Sequence, residues 1–209
     1  MTSDGPERSI RSFAPVIDED LERLAAIARQ VHAVRNAARP EWTRTLLAAC
    51  LVQGGARHRV HGDRGVKDFD IYLFYEVPER SARGFPWNKN SWQYDFGPSP
   101  HGKQLYTDDD RSKPSLARRI PSWERFDGRR VDVLVRCIAS SPDGPRATVR
   151  AWLERGANEA RRGRPVEDMP SAWHLARCPV IALEPDLGEV WWDGPVTDEP
   201  YLERNEPPT

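Results

Sequence analysis

Cysteine is scarce in this 209-residue chain, and the three present, Cys50, Cys137 and Cys178, are widely spaced, each beside apolar residues. That pattern excludes a disulfide framework and the paired spacing of a zinc knuckle, and reads as small buried thiols in a reducing compartment. No run approaches the about 18 apolar residues needed to cross a bilayer, and Met1 to Pro6 lacks the basic-then-apolar order of a secretory leader. A cytoplasmic protein without membrane contact is expected. Net charge is missing too: 31 basic residues face 32 acidic ones, so no global field draws the chain onto nucleic acid, and general DNA binding is disfavoured. No internal repeat is visible.

What is present is a hydrophilic chain with 38% hydrophobic residues, long enough to bury one sizeable core. Residues 1–16 lack a sustained period and read as a flexible arm, 17–195 as the folded domain, and 196–209, ending in Pro207-Pro208-Thr209, as a flexible tail. From Asp18 to Ala38 the apolar residues Leu21, Leu24, Ala25, Ile27, Ala28, Val31 and Val34 recur at helical spacing behind an acidic first turn. The run Leu46 to Val52 ends at Gly54-Gly55, so its last part predicts a buried strand feeding a tight turn, followed by about two helical turns from Ala56 to Gly62. Lys67 to Glu76 and Arg130 to Arg136 are rich in aromatic and β-branched residues and predict two core strands. Residues 78–129 between them are dense in Pro, Gly, Ser and Asp and are too many for a hairpin, which makes them an insertion or lid. In it, Ser115 to Ile120 predicts a short helix, and Pro86-Trp87-Asn88 with Trp92, Tyr94 and Phe96 an irregular, aromatic-anchored loop. Helices at Ala147 to Glu154 and Ser171 to Arg177 and a hairpin from Val180-Ile181-Ala182-Leu183 to Glu189-Val190-Trp191-Trp192 complete the chain.

The chemistry concentrates in a few positions. Asp68 and Asp70 are two apart on a predicted strand and so share a face, while Phe69, Ile71 and Leu73 take the other. Asp132 sits among Val131, Val133 and Val135 in the same way. If the two strands are neighbours the carboxylates converge, and their repulsion and lost hydration call for a compensating cation. Hard oxygen ligands suit Mg²⁺ or Mn²⁺. Gly54-Gly55, between an apolar run and a helix start, is a place where backbone N–H groups approach phosphate oxygens without a Cβ in the way.

The order Gln53-Gly54-Gly55, then Gly62-Asp63-Arg64-Gly65-Val66-Lys67-Asp68-Phe69-Asp70-Ile71, then Arg130-Val131-Asp132-Val133-Leu134, resembles the polymerase-β-like nucleotidyltransferase superfamily. It looks closest to the minimal bacterial branch that includes nucleotidyltransferase-type toxins. The resemblance spans roughly residues 45–136. It implies an α+β fold: a nucleotidyltransferase-like mixed sheet with helices packed on one face, a long insertion between two core strands, and C-terminal helices and a hairpin. It implies that Gly54 and Gly55 contact the phosphates of a nucleoside triphosphate, with Arg64 and Lys67 at basic positions before the aspartates. Asp68 and Asp70 would bind metal, and Asp132 would be the third ligand or the base for the acceptor hydroxyl. Two departures stand out: Ala56-Arg57 replaces the usual small hydroxyl residue after the glycines, and the Asp70 to Asp132 gap is longer than in minimal members.

The expected activity is metal-dependent transfer of a nucleoside monophosphate to an RNA, protein or small-molecule acceptor. The alternatives are a catalytically inactive nucleotide-binding or protein-interaction module, or a toxin component with a cognate antitoxin. Other candidates read as structural. His58 and His61, three apart, lack further ligands at metal spacing, Asp108-Asp109-Asp110 lacks the alternation of a calcium loop, and Arg161, Arg162 and Arg164 read as a solvated stretch. His101, Lys103 and Arg118 reach the site only if the insertion folds over it.

Overall fold

A computed structural model describes residues 14–62, 65–76, 91–97, 100–101, 130–161 and 170–194. The first helix, α1 (Asp18–Ala38), buries Leu21, Leu24, Ala25, Ala28 and Val31, the i, i+3, i+4 set of its sequence. Asp20 closes its start by accepting a hydrogen bond from the Ile17 N–H at 2.9 Å. Val34 departs from the expected stripe and is exposed. A 3₁₀ turn over Pro40–Thr45 leads into β1 (Leu46–Val52), in which the whole apolar run is strand rather than only its last part. Helix α2 (Gln53–His61) follows at once and stops at Gly62, whose φ of 68° lets its N–H turn back to the His58 carbonyl at 2.8 Å. Then come β2 (Phe69–Glu76), β3 (Ser91–Asp95), β4 (Arg130–Ile138), α3 (Pro145–Arg161), α4 (Pro170–Leu175), and the hairpin β5 (Val180–Glu184) and β6 (Val190–Trp192).

The six strands form one mixed sheet in the order β3-β4-β2-β1-β5-β6. β2 and β4 are parallel, and the other pairs are antiparallel. The fold is therefore α+β with a mixed sheet, as expected, but the expectation of helices on one face is corrected. Alternate strand residues feed two separate cores. Phe69, Ile71, Leu73, Tyr75, Val131, Val133 and Val135 pack with α1, while Cys50, Val52, Tyr72, Phe74 and Ile138 pack with Val149 and Leu153 of α3 and Leu175 of α4. The sequence pattern on β2 already carried this: Tyr72 and Phe74, on the face of Asp70, are as apolar as their neighbours, which a solvated face does not require.

Two further expectations change. Trp92 and Tyr94 stand on an edge strand, half-buried against the first core, and Phe96 is buried beside Phe69, so this part of 78–129 is sheet rather than irregular loop. The end of the N-terminal arm belongs to the core: Val16 is buried, and the Ala14 carbonyl lies 2.9 Å from His58 Nε2 and 3.0 Å from His101 Nδ1. Pro86 to Asn88, Lys103, Asp108 to Asp110, Ser115 to Ile120, Arg162, Arg164 and the tail lie outside the described residues.

The two-sided core makes a prediction. Leu153→Ala, on the face expected to be free of helices, lowers the unfolding free energy by about 2–5 kcal/mol in urea denaturation, as a fully buried leucine does. A change within about 0.5 kcal/mol, the value for a surface site, overturns the second core.

Candidate metal and nucleotide site

The register of β1, β2 and β4 puts Val52, Asp70 and Asp132 in one row. Val52 pairs with Asp70 across the antiparallel ladder, and Asp70 pairs with Asp132 across the parallel one. Laterally paired residues share a sheet face, so the two carboxylates stand side by side, on the face of Tyr72 and Phe74. Asp68 precedes the first residue of β2, and all three aspartates are half-buried. The segment ahead of it is held from two sides. The Gly65 N–H donates to His58 Nδ1 at 3.2 Å, and the Val66 N–H donates to the His101 carbonyl at 2.8 Å. His58 thus accepts at Nδ1 and donates from Nε2 to Ala14, the packing role expected of it. His101 is buried in the same clasp, with Nε2 3.0 Å from Asp20 Oδ2, and is structural rather than a site residue. His61 is exposed.

The electrostatics divide the three acids. Burial, then the charge of Asp132, holds the Asp68 carboxyl above its ordinary value, with Arg130 and Lys67 pulling the other way. Burial, then Asp68 and Asp132, holds Asp70 well above it, opposed by the same two cations. Asp132 is matched differently. Arg130 Nε donates to Oδ1 at 2.9 Å and Nη2 to Oδ2 at 2.6 Å, and the two side chains are only 13% and 14% exposed. Arg130 was missed in the sequence, although the two-residue period that joins Asp68 to Asp70 joins Arg130 to Asp132 as well. Gln93 of β3 was missed too. It pairs with Asp132 and so projects on the same face, in a strand that the loop-like composition of 78–129 concealed. On that face Arg136 lies over the Tyr72 ring, 5.0 Å from its centroid.

The glycines separate into two roles. A Cβ on Gly54 would meet nothing within 4 Å, and Gly54 is exposed at the start of α2, where no side chain caps the helix. A Cβ on Gly55 would come 3.0 Å from both Leu51 Cδ1 and Phe69 Cδ1, so Gly55 is there for the close approach of α2 to the strands. Gln53, just ahead, holds a left-handed φ of 54°, a conformation uncommon for a residue with a side chain. Lys67 is exposed beside the acids, and Arg64 lies outside the described residues.

Among the described residues, no three His, Cys, Asp or Glu side chains converge in a way that would hold a metal ion as they stand, and both oxygens of Asp132 are engaged by Arg130. Asp68 and Asp70 do suit a hard divalent ion: they offer carboxylate oxygens, and the burial and mutual repulsion that raise their pKa values are what a bound cation would offset. The thiols take no part. No disulfide joins the three cysteines, Cys50 is fully buried, and burial pushes the Cys137 thiol up to about 12. Neither a protein-family description, nor a curated protein, nor a solved structure matches the chain.

Two predictions follow from this geometry. Asp70 binds its proton more readily in the folded chain than in the unfolded one, so native stability contributed by that proton is present at acid pH and is lost as pH rises through the raised native pKa. Asp70→Asn therefore raises the melting temperature by a few degrees at neutral pH in a chelator, and the gain disappears near about pH 4, where the unfolded chain also begins to hold the proton. Differential scanning calorimetry at the two pH values checks both signs. For the glycines, Gly55→Ala destabilises by about 1–3 kcal/mol through overpacking against Leu51 and Phe69, whereas Gly54→Ala leaves chemical denaturation unchanged or slightly improved.

Proposed function

We propose that the chain is a divalent-metal-dependent nucleotidyltransferase that moves a nucleoside monophosphate from a nucleoside triphosphate to an acceptor hydroxyl. The observation that carries the reading is the row Val52, Asp70, Asp132: it brings the uncapped start of α2 and the acidic cluster to the same end of the sheet. Asp68 and Asp70 are the residues that would hold Mg²⁺ or Mn²⁺, which when bound supplies the positive charge that binds a triphosphate and stabilises departing pyrophosphate. The backbone at Gly54 offers N–H groups to phosphate oxygens, helped by the helix dipole of α2. Lys67 adds a positive charge on the approach to the acids. Asp132 accepts the proton of the acceptor hydroxyl as its oxygen bonds to the α-phosphorus and the bond to pyrophosphate breaks.

A second reading, a nucleotide-binding or partner-binding module without turnover, is favoured by one observation. The Arg130 fork occupies the carboxylate that the reaction needs as a base. Incubating the purified chain and a cell extract with each α-³²P-labelled nucleoside triphosphate and Mg²⁺ separates the two. A labelled acceptor formed by wild type, and reduced at least about a hundredfold by Asp68→Asn or Asp70→Asn, supports transfer. Its sensitivity to ribonuclease or protease then gives the acceptor class. Nucleotide binding without any labelled product selects the silent module. Labelling that persists in both variants overturns the site.

A further inference from the structure

We infer that Arg130 is the resident counter-cation of the acidic cluster and competes with the divalent ion for Asp132, a positioning role that rests on reading Asp68 and Asp70 as the cation site. The fork leaves little room for sharing. Its two N–H donors, at 2.9 and 2.6 Å, each take a different oxygen of Asp132. The fork takes one lone pair of each oxygen, so an ion that recruits Asp132 must bind through the remaining ones, next to a guanidinium whose positive charge repels it. Both side chains are mostly withdrawn from water, at 13% and 14% exposure, so the pair is not a solvent-screened surface contact. Asp132 is also the lateral neighbour of Asp70, so any ion held by Asp70 lies within reach of it.

The exchange has a direction. When the ion draws Asp132 toward Asp70, at least one Arg130 N–H gives up its Asp132 oxygen, and a mostly buried donor that loses its acceptor is costly. The anionic oxygens of a triphosphate arriving with the ion are suitable replacements. Arg130 thus steadies the cluster when no ion is present and turns to the substrate when one is. A merely structural pair predicts the opposite sign, since losing Arg130 would loosen Asp132 and weaken ion binding.

The test compares full-length wild type, Arg130→Met and Arg130→Lys without nucleotide, following free Mn²⁺ by electron paramagnetic resonance and the melting temperature with and without Mn²⁺. Arg130→Met is expected to bind Mn²⁺ roughly tenfold more tightly and to gain more melting temperature from it. Arg130→Lys, which keeps the charge and loses the fork, moves the same way by less. Should Arg130→Met show no cooperative unfolding, the sign in Arg130→Lys decides. Equal or weaker binding in the folded variants, beside a wild type that binds, overturns this inference and leaves the site reading standing. No Mn²⁺ binding by any of the three overturns the site reading and this inference with it.

Discussion

Parallel strands cannot be joined by a tight turn, and β2 and β4 are parallel neighbours at the centre of the sheet. The chain that leaves β2 at Glu76 and enters β4 at Arg130 must therefore make a long excursion, and it uses part of it. β3 adds antiparallel to the outer side of β4, and His101 beyond it reaches the Ala14 carbonyl and Asp20 of α1. The same pairing fixes the chemistry. With Phe69 opposite Val131, Asp70 falls opposite Asp132, and a slip of one residue would send one carboxylate to the α1 side of the sheet and bury it among Leu21, Leu24 and Phe69. The apolar alternation of the two strands thus sets the register that brings the acids together.

Bringing them together opposes folding, and the rest of the structure offsets it. Burial and mutual repulsion raise the carboxyl pKa values of Asp68 and Asp70. Against that, each fully buried side chain of the Leu24 or Leu153 kind contributes about 1.5–3 kcal/mol, and such side chains fill both faces of the sheet. A sheet covered on one face alone would have roughly half of that reserve. The second helical layer is in this sense part of the site's support, and Arg130 is the local part of the same compensation.

Much of this was legible in the chain. The bounds of α1 and the existence of the two core strands, the C-terminal helices and the hairpin follow from period and turn signals, although α3 runs on to Arg161, past the expected end at Glu154, and β2 starts at Phe69 rather than Lys67; the Asp70 and Asp132 juxtaposition follows from two acidic interruptions of apolar strands. What was not legible has physical reasons. Periodicity ranks positions along one element but does not say how many partners the sheet has, so the second helical layer had to be read from the apolar Tyr72 and Phe74, and it was not. β3 was hidden because Ser91, Gln93 and Asp95 are polar and the strand lies at an edge, where only one face needs apolar residues. Arg130 was overlooked because a basic residue at a strand start looks solvated until its partner's burial is known.

The two aspartates of the pair differ in what fixes them. Asp70 is held by ladders on both sides, so its position is as rigid as the sheet. Asp68 lies outside the ladder, one residue before β2, and the backbone just ahead of it is held by the polar clasp formed at Gly65 and Val66 by His58 from α2 and His101 from the insertion, joined through the Ala14 carbonyl. Buried polar groups of this kind are held in one geometry because any other leaves a donor or acceptor unpaired. The approach to the first carboxylate therefore depends on segments that no local motif includes: residue 14 ahead of α1, Asp20 within it, and residue 101 far along the insertion. A short Asp-x-Asp signature names the two acids, yet the backbone that leads into the first of them is held by the N-terminal segment and the insertion together.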